Sequence, residues 1–199
     1  MSLLTPVVAY AAPEGRYERY SVRTDLVHPI LAAVAALLVV GCGIAFGLTL
    51  EALVAAFFCV TLVVVTATDL EYRIVPNRVV FPAAPIVLAG MTVADPSPEW
   101  AIAACAAFSG LLLAAIAYPA GMGYGDVKLA FLMGAALGRS VVVAVVVGLV
   151  LSALLTVVLF ARHGRAARKM TFPFAPFLAA GSVVALFAGD ALIDLYLSR

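Results

Sequence analysis

Charge is the scarcest thing in this sequence. Only 12% of the residues are charged, where a soluble domain carries about 25%. Hydrophobic residues make up 65% of the 199, and the mean hydropathy is +1.16. That much apolar surface exceeds what one water-soluble core of this size can hide. The net charge of +1 leaves no basic field for a nucleic-acid partner. Cysteine is scarce as well: Cys42, Cys59 and Cys105 all sit in apolar stretches, and none forms a CxxC. This spacing argues against a disulfide framework or a zinc site. His28 and His163 are far apart and make no metal motif. No metal and no cofactor is expected.

Long uncharged runs fill the rest. They cover 29–50, 52–68, 79–94, 100–125, 129–138, 140–161 and 170–189, with lengths of 22, 17, 16, 26, 10, 22 and 20 residues. A helix needs roughly 20 apolar residues to cross the hydrocarbon. Five runs qualify, 79–94 is marginal, and 129–138 is short for a span. The expected fold is an all-α, polytopic integral membrane protein of about six to seven transmembrane helices. Residues 1–28 read as a cytoplasmic N-terminal tail, partly on the membrane surface, and 29–199 as one membrane-embedded domain.

The basic residues give a sidedness. With seven crossings and the N-terminus in the cytoplasm, ten of the 12 Lys and Arg fall inside, while Arg139 and Arg199 fall outside. Glu51, Asp95, Glu99, Asp190 and Asp194 collect outside. This matches the positive-inside rule. It puts Asp69 and Asp126 on the same, cytoplasmic, side of a cell membrane.

Those two acids stand out, because acids in membrane segments are costly and usually functional. Asp69 directly follows the run 52–68. Asp126 follows Gly121-Met122-Gly123-Tyr124-Gly125. Glycines at this density break a helix and let backbone approach backbone, which a membrane tolerates where protein or a water-filled cavity covers the freed groups. After Asp69, Pro76 biases Val75 away from helix, so the second span should end there, with Asn77 capping the third.

Taken together, these segments resemble the type IV prepilin peptidases. Asp69-Leu70-Glu71-Tyr72-Arg73-Ile74-Val75-Pro76-Asn77 is similar to that family's first motif, and GMGYGDVKL at Gly121–Leu129 to its GxGD motif. Phe172–Gly181, FPFAPFLAAG, resembles its PFxPFLxxG segment. These motifs anchor residues 60–181. The resemblance implies a GxGD-type intramembrane aspartic peptidase with Asp69 and Asp126 as its catalytic pair. It also implies a prepilin-like substrate, with a short basic leader ahead of a hydrophobic helix, cut at the cytoplasmic face. Long members of the family carry paired CxxC motifs in a methyltransferase region. None is found here, so the resemblance is to the short, peptidase-only form.

Two nearby carboxylates share one proton and titrate as a unit. From the macrodipoles of their own helices, Asp126, at a helix start, should be the base, and Asp69, at a helix end, should hold the proton. Gly123, Gly125, Pro76, Asn77, Arg73, Lys128, Pro173 and Pro176 are read as shaping the site, with Lys128 snorkelling to lipid phosphates. Glu71 is a candidate for attracting the basic leader. The basic loop 162–169 should touch anionic lipid. The competing reading is a small proton-coupled transporter or channel component using Asp69 and Asp126 as a proton relay.

Overall fold

The structure is a computed structural model and describes residues 24–118, 123–163 and 172–198. The tail up to residue 23, Gly121 and Met122 of the glycine motif, and most of the basic loop 162–169 lie outside the described residues. Every described element is helical: α1 Thr24–Phe46, α2 Leu50–Tyr72, α3 Asn77–Ala94, α4 Glu99–Ala117, α5 Tyr124–Leu137, a 3-10 turn Gly138–Ser140, α6 Val141–His163 and α7 Ala175–Leu197. Among the described residues, six runs are long and apolar enough to cross a membrane: Pro29–Phe46, Leu50–Tyr72, Asn77–Ala94, Glu99–Ala117, Tyr124–Arg162 and Ala175–Leu197. The chain is a multi-pass α-helical membrane protein. Leu37, Ile44, Leu113, Val142 and Val157, among many others, stand exposed on its flanks. In water such a surface would be a liability; in lipid it is the solvent-facing side.

The fifth run, 39 residues long, doubles back on itself. Gly138, with φ +53, sits against Glu99 and Trp100 at the start of α4, while Gly134 sits against Ala103 and Ala104 one turn further along. So α5 runs antiparallel to α4. Ser140 meets Gly189 and Gly148 meets Phe177 and Leu178, so α6 runs antiparallel to α7. The reversal therefore falls at Gly138–Ser140, where glycine takes a positive φ without the Cβ penalty. Arg139 and Ser140 fasten it. The Arg139 N–H donates to Glu99 Oε1 (2.7 Å), Arg139 Nε donates to Asp190 Oδ1 (3.2 Å), and Ser140 Oγ donates to the same oxygen (2.9 Å).

The reversal explains the short run at 129–138. Helix α5 has 14 residues, about 21 Å at 1.5 Å per residue, against roughly 30 Å of hydrocarbon. It need not match the lipid, because it hardly meets it. Val127, Leu129, Ala130, Leu132, Met133, Gly134, Ala135, Ala136 and Leu137 are all buried. A helix apolar on every side belongs inside a bundle. α5 is the central post, with α2, α3, α4 and α7 packed against it.

Small residues set the closest approaches, as they must where lipid is as apolar as leucine and association rests on packing. A Cβ at Gly134 would lie 2.5 Å from the Ala103 carbonyl oxygen, and one at Gly181 would collide with that of Ala144.

On α2 the buried stripe Phe58, Leu62, Val65, Asp69 follows helical spacing and ends in the aspartate. This stripe faces α3, α5 and α7. The opposite face of α2, bearing Val60, Val63, Val64 and Ala67, looks across an apolar gap of about 240 Å³ to Leu31, Ala32 and Ala35 of α1. Helix α1 thus rides on the outside of α2, away from Asp69.

Candidate active site

Helix α2 stops because Arg73 takes the left-handed conformation (φ 54, ψ 39) and its N–H caps the Asp69 carbonyl at 2.9 Å. This is an αL C-cap of the kind glycine usually makes. Arg73 is the one non-glycine residue with positive φ among the described residues. The chain then runs extended through Val75 and Pro76 and starts α3 at Asn77. The expected end of the second span before Pro76 agrees with this. The expected cap does not: Pro76 holds the N-cap position, no side chain caps α3, and Asn77 is the first helical residue.

Gly123 is the N-cap of α5, extended at φ −81 and ψ 144. Asp126 is three residues on, its N–H donating to the Gly123 carbonyl at 3.1 Å. A carboxylate at that position turns back toward the start of its helix, and Asp126 Oδ2 lies 3.5 Å from where a Gly123 Cβ would be. Gly125 answers a different need. A Cβ there would stand 2.8 Å from Val75 Cβ and 3.0 Å from its Cγ2. The α2–α3 connection therefore lies directly on the first turn of α5, which brings the Asp69 end and the Asp126 end together.

Asp69 is 6% exposed and Asp126 8%. Both line one cavity of about 280 Å³, with Arg73, Ile74, Val75, Asn77, Gly123, Gly125 and Lys128. Asp69 Oδ2 accepts the backbone N–H of Ala175, the first residue of α7, at 3.1 Å. This third helix end changes the electrostatic reading made from α2 and α5 alone. Asp69 ends α2, whose dipole disfavours a negative charge, but its carboxylate faces the N-terminus of α7, whose dipole favours one. The dipole ground for putting the shared proton on Asp69 is offset.

Lys128 also departs from expectation. Its Nζ donates to Asn77 Oδ1 at 2.9 Å and lies 5.3 Å from the Phe81 ring centroid. Where snorkelling was expected, this bond ties α5 to the start of α3 on the cavity wall. Glu71 is half-buried in the last turn of α2 and is absent from the cavity lining. Two positions from Asp69, it lies on another flank of the helix. Pro173 precedes α7 and Pro176 is its second residue. Val75, Phe81 and the Ala175 amide were not foreseen. Side-chain chemistry cannot flag them: two are apolar, and the third acts through its backbone. Among the described residues no group of three or more His, Cys, Asp or Glu could hold a metal ion.

Two buried aspartates therefore line one cavity at one end of a helical membrane bundle, where they can share a proton. Residues 56–161 match the type IV leader peptidase family. The chain belongs to that family. The leader-peptidase match covers Asp69, Asp126 and the helices between them, and stops short of α7. A prepilin leader peptidase/N-methyltransferase of Bacillus subtilis (strain 168) is 31% identical over 198 residues, covering 98% of this chain and 79% of the relative. One of the same name from Pseudomonas putida is 29% identical, over 94% of this chain and 67% of the relative. No solved structure matches.

Proposed function

We propose that this chain is a prepilin leader peptidase that hydrolyses the leader from pilin-like precursors at the cytoplasmic edge of the cell membrane, with Asp69 and Asp126 as its catalytic pair. Membership of the family and the names of the relatives support the activity. The observation that carries the site is that both carboxylates, buried and polar in an apolar bundle, open onto the same cavity. The unprotonated aspartate takes a proton from water, which attacks the scissile carbonyl carbon. The protonated one gives its proton to the carbonyl oxygen, and the tetrahedral intermediate collapses with proton transfer to the leaving amine. Every atom comes from the peptide, the water and the two carboxyls, so the scheme calls for no cofactor.

Charge supports the sidedness. Arg73, Arg78 and Lys128 cluster at the end of the bundle that holds the aspartates, while Glu51, Glu99, Asp190 and Asp194 mark the other end. A site at that edge suits a precursor whose apolar helix stays in lipid while its basic leader stays in water. Glu71, near the site but off the cavity wall, is the residue proposed to draw the leader in. Methylation of the product is not part of the proposal, since none of the three cysteines lies in a CxxC. Nothing observed favours the transporter reading.

The test is co-expression with a pilin-like precursor in cells lacking their own peptidase, reading leader removal by gel shift and mass. Wild type should trim the leader, and Asp69→Asn and Asp126→Asn should not. Trimming by either mutant would remove the basis of the pair. Glu71→Gln should cut lysine-rich leaders less well than wild type does; equal cutting of all leaders would end that role.

A further inference from the structure

The third sequence segment, Phe172–Gly181, has so far only a shape. Its backbone hydrogen bonds give it a role, on the footing that Asp69 is catalytic as proposed above. A helix begins with four N–H groups that lack intrahelical partners, and these normally need a capping side chain. Helix α7 has none: its N-cap residue is Phe174, and no side chain caps it from within the segment. Three of those four N–H positions, Ala175 to Phe177, lie within α7 itself. The Phe177 N–H turns back to the Phe174 carbonyl at 3.0 Å, and the Leu178 N–H, 3.3 Å from the same oxygen, makes the first regular i→i−4 bond. Pro176 has no N–H to satisfy. That leaves the Ala175 N–H, which is buried and donates to Asp69 Oδ2, 106 residues earlier in the chain.

Within the first turn of α7 the Ala-Pro pair therefore leaves the Ala175 N–H as the one donor without a partner in its own segment, and it is aimed at an aspartate. We infer that the Ala175 amide is a positioning group: it fixes the Asp69 carboxyl by engaging Oδ2 and leaves Oδ1 as the oxygen that works on water or substrate. The relation is mutual. Asp69, from α2, acts as the missing N-cap of α7, so the carboxyl cannot rotate without uncapping a helix. Pro176 keeps a second amide from competing for the same oxygen. Phe172 and Phe177, whose rings meet edge to face at 6.0 Å, hold the turn that presents the amide. Ala175 does not touch reacting atoms; it acts through Asp69. The bond engages one carboxyl oxygen in either protonation state, since the proton can sit on Oδ1.

The test replaces the amide without changing the side chain. Lactic acid at position 175, introduced in place of alanine, turns that amide into an ester, which deletes the N–H and also weakens the Phe174 carbonyl as an acceptor. A second ester at position 179, one turn along, makes the same two changes at an ordinary helical amide and controls for their cost to the helix. With purified full-length protein in detergent and a pilin-like precursor, the 175 ester should lose roughly tenfold to a hundredfold in kcat at unchanged KM, the range for a misaligned catalytic group. The 179 ester should keep wild-type kcat. A 175 ester within twofold of wild type overturns the inference, as does equal loss in both esters.

If the 175 ester fails to fold, hydrogen exchange decides. Asp69→Ala should speed exchange at the Ala175 amide, whereas Asp126→Ala should leave it slow. Unchanged exchange in Asp69→Ala overturns the anchor. The footing is tested separately by Asp69→Asn. An active Asp69→Asn would refute the catalytic pair itself, whereas an inactive Asp69→Asn beside an active 175 ester would refute only the anchor.

Discussion

Gly125 lies against Val75 so closely that a β-carbon on the glycine would stand 2.8 Å from that of the valine. The contact joins two segments 50 positions apart, one trailing Asp69 and one leading into Asp126. It is the point at which the two halves of the site are pressed together.

Gly125→Ala should therefore cost activity more than stability. The added methyl must push the α2–α3 connection off α5, and a displacement of about 1 Å at a reacting group can cost on the order of 10²-fold. Val75→Ala removes the opposing atoms. In the double variant Gly125→Ala/Val75→Ala, cleavage should recover toward the Val75→Ala level, as expected when two contacting residues are coupled. Cleavage rates for the four members of this cycle, beside their melting temperatures in detergent, check the prediction. Strict additivity would sink it.

The bond from Lys128 Nζ to Asn77 Oδ1 spans the same seam on the cavity wall. Lys128→Met should slow cleavage several-fold by loosening α5 from the start of α3. Asn77→Asp, which keeps an acceptor in place, should retain more activity than Asn77→Leu. A hydrogen bond to a charged group is worth about 1.5–3 kcal/mol, and exposure of Asn77 to solvent lowers that toward about 1 kcal/mol. A double-mutant cycle on Lys128 and Asn77 should show a coupling of this size. If Lys128→Met cleaves at the wild-type rate, the bridge has no part in the site.

Gly134 predicts the reverse pattern. Its neighbours are backbone atoms of Ala103 and Ala104, which cannot swing aside as a side-chain tip would. Gly134→Ala should force α4 and α5 apart at a cost of about 1–3 kcal/mol, the usual range for overpacking. It should lower the melting temperature while leaving KM for the precursor unchanged in the fraction that stays folded. A melting temperature equal to wild type would show that α4 and α5 approach less closely than described.

Much of this protein was legible in its sequence. The scarcity of charge and the length of the uncharged runs determined an α-helical membrane protein, since in lipid a helix satisfies its own backbone. Asp69 and Asp126 were visible because a carboxylate at a membrane segment is conspicuous where almost everything else is apolar. Gly123, Gly125, Arg73 and Pro76 lay close to them and could be read as shaping the site.

Only the tertiary structure decided how those parts meet. Run length could not show that 129–138 is a buried central post, because length reports on lipid and α5 is surrounded by protein. A preference for capping suggested Asn77 as the N-cap of α3, but Pro76 holds that position, Asn77 is the first helical residue, and Lys128, 51 residues away, donates to its side chain. The dipoles of α2 and α5 could be assigned from the chain; that of α7, which bears on Asp69 from 106 positions away, could not. Composition and periodicity are local and survive in the string of letters. A backbone amide aimed at a carboxylate depends on how distant helices pack, and that comes into being only when they do.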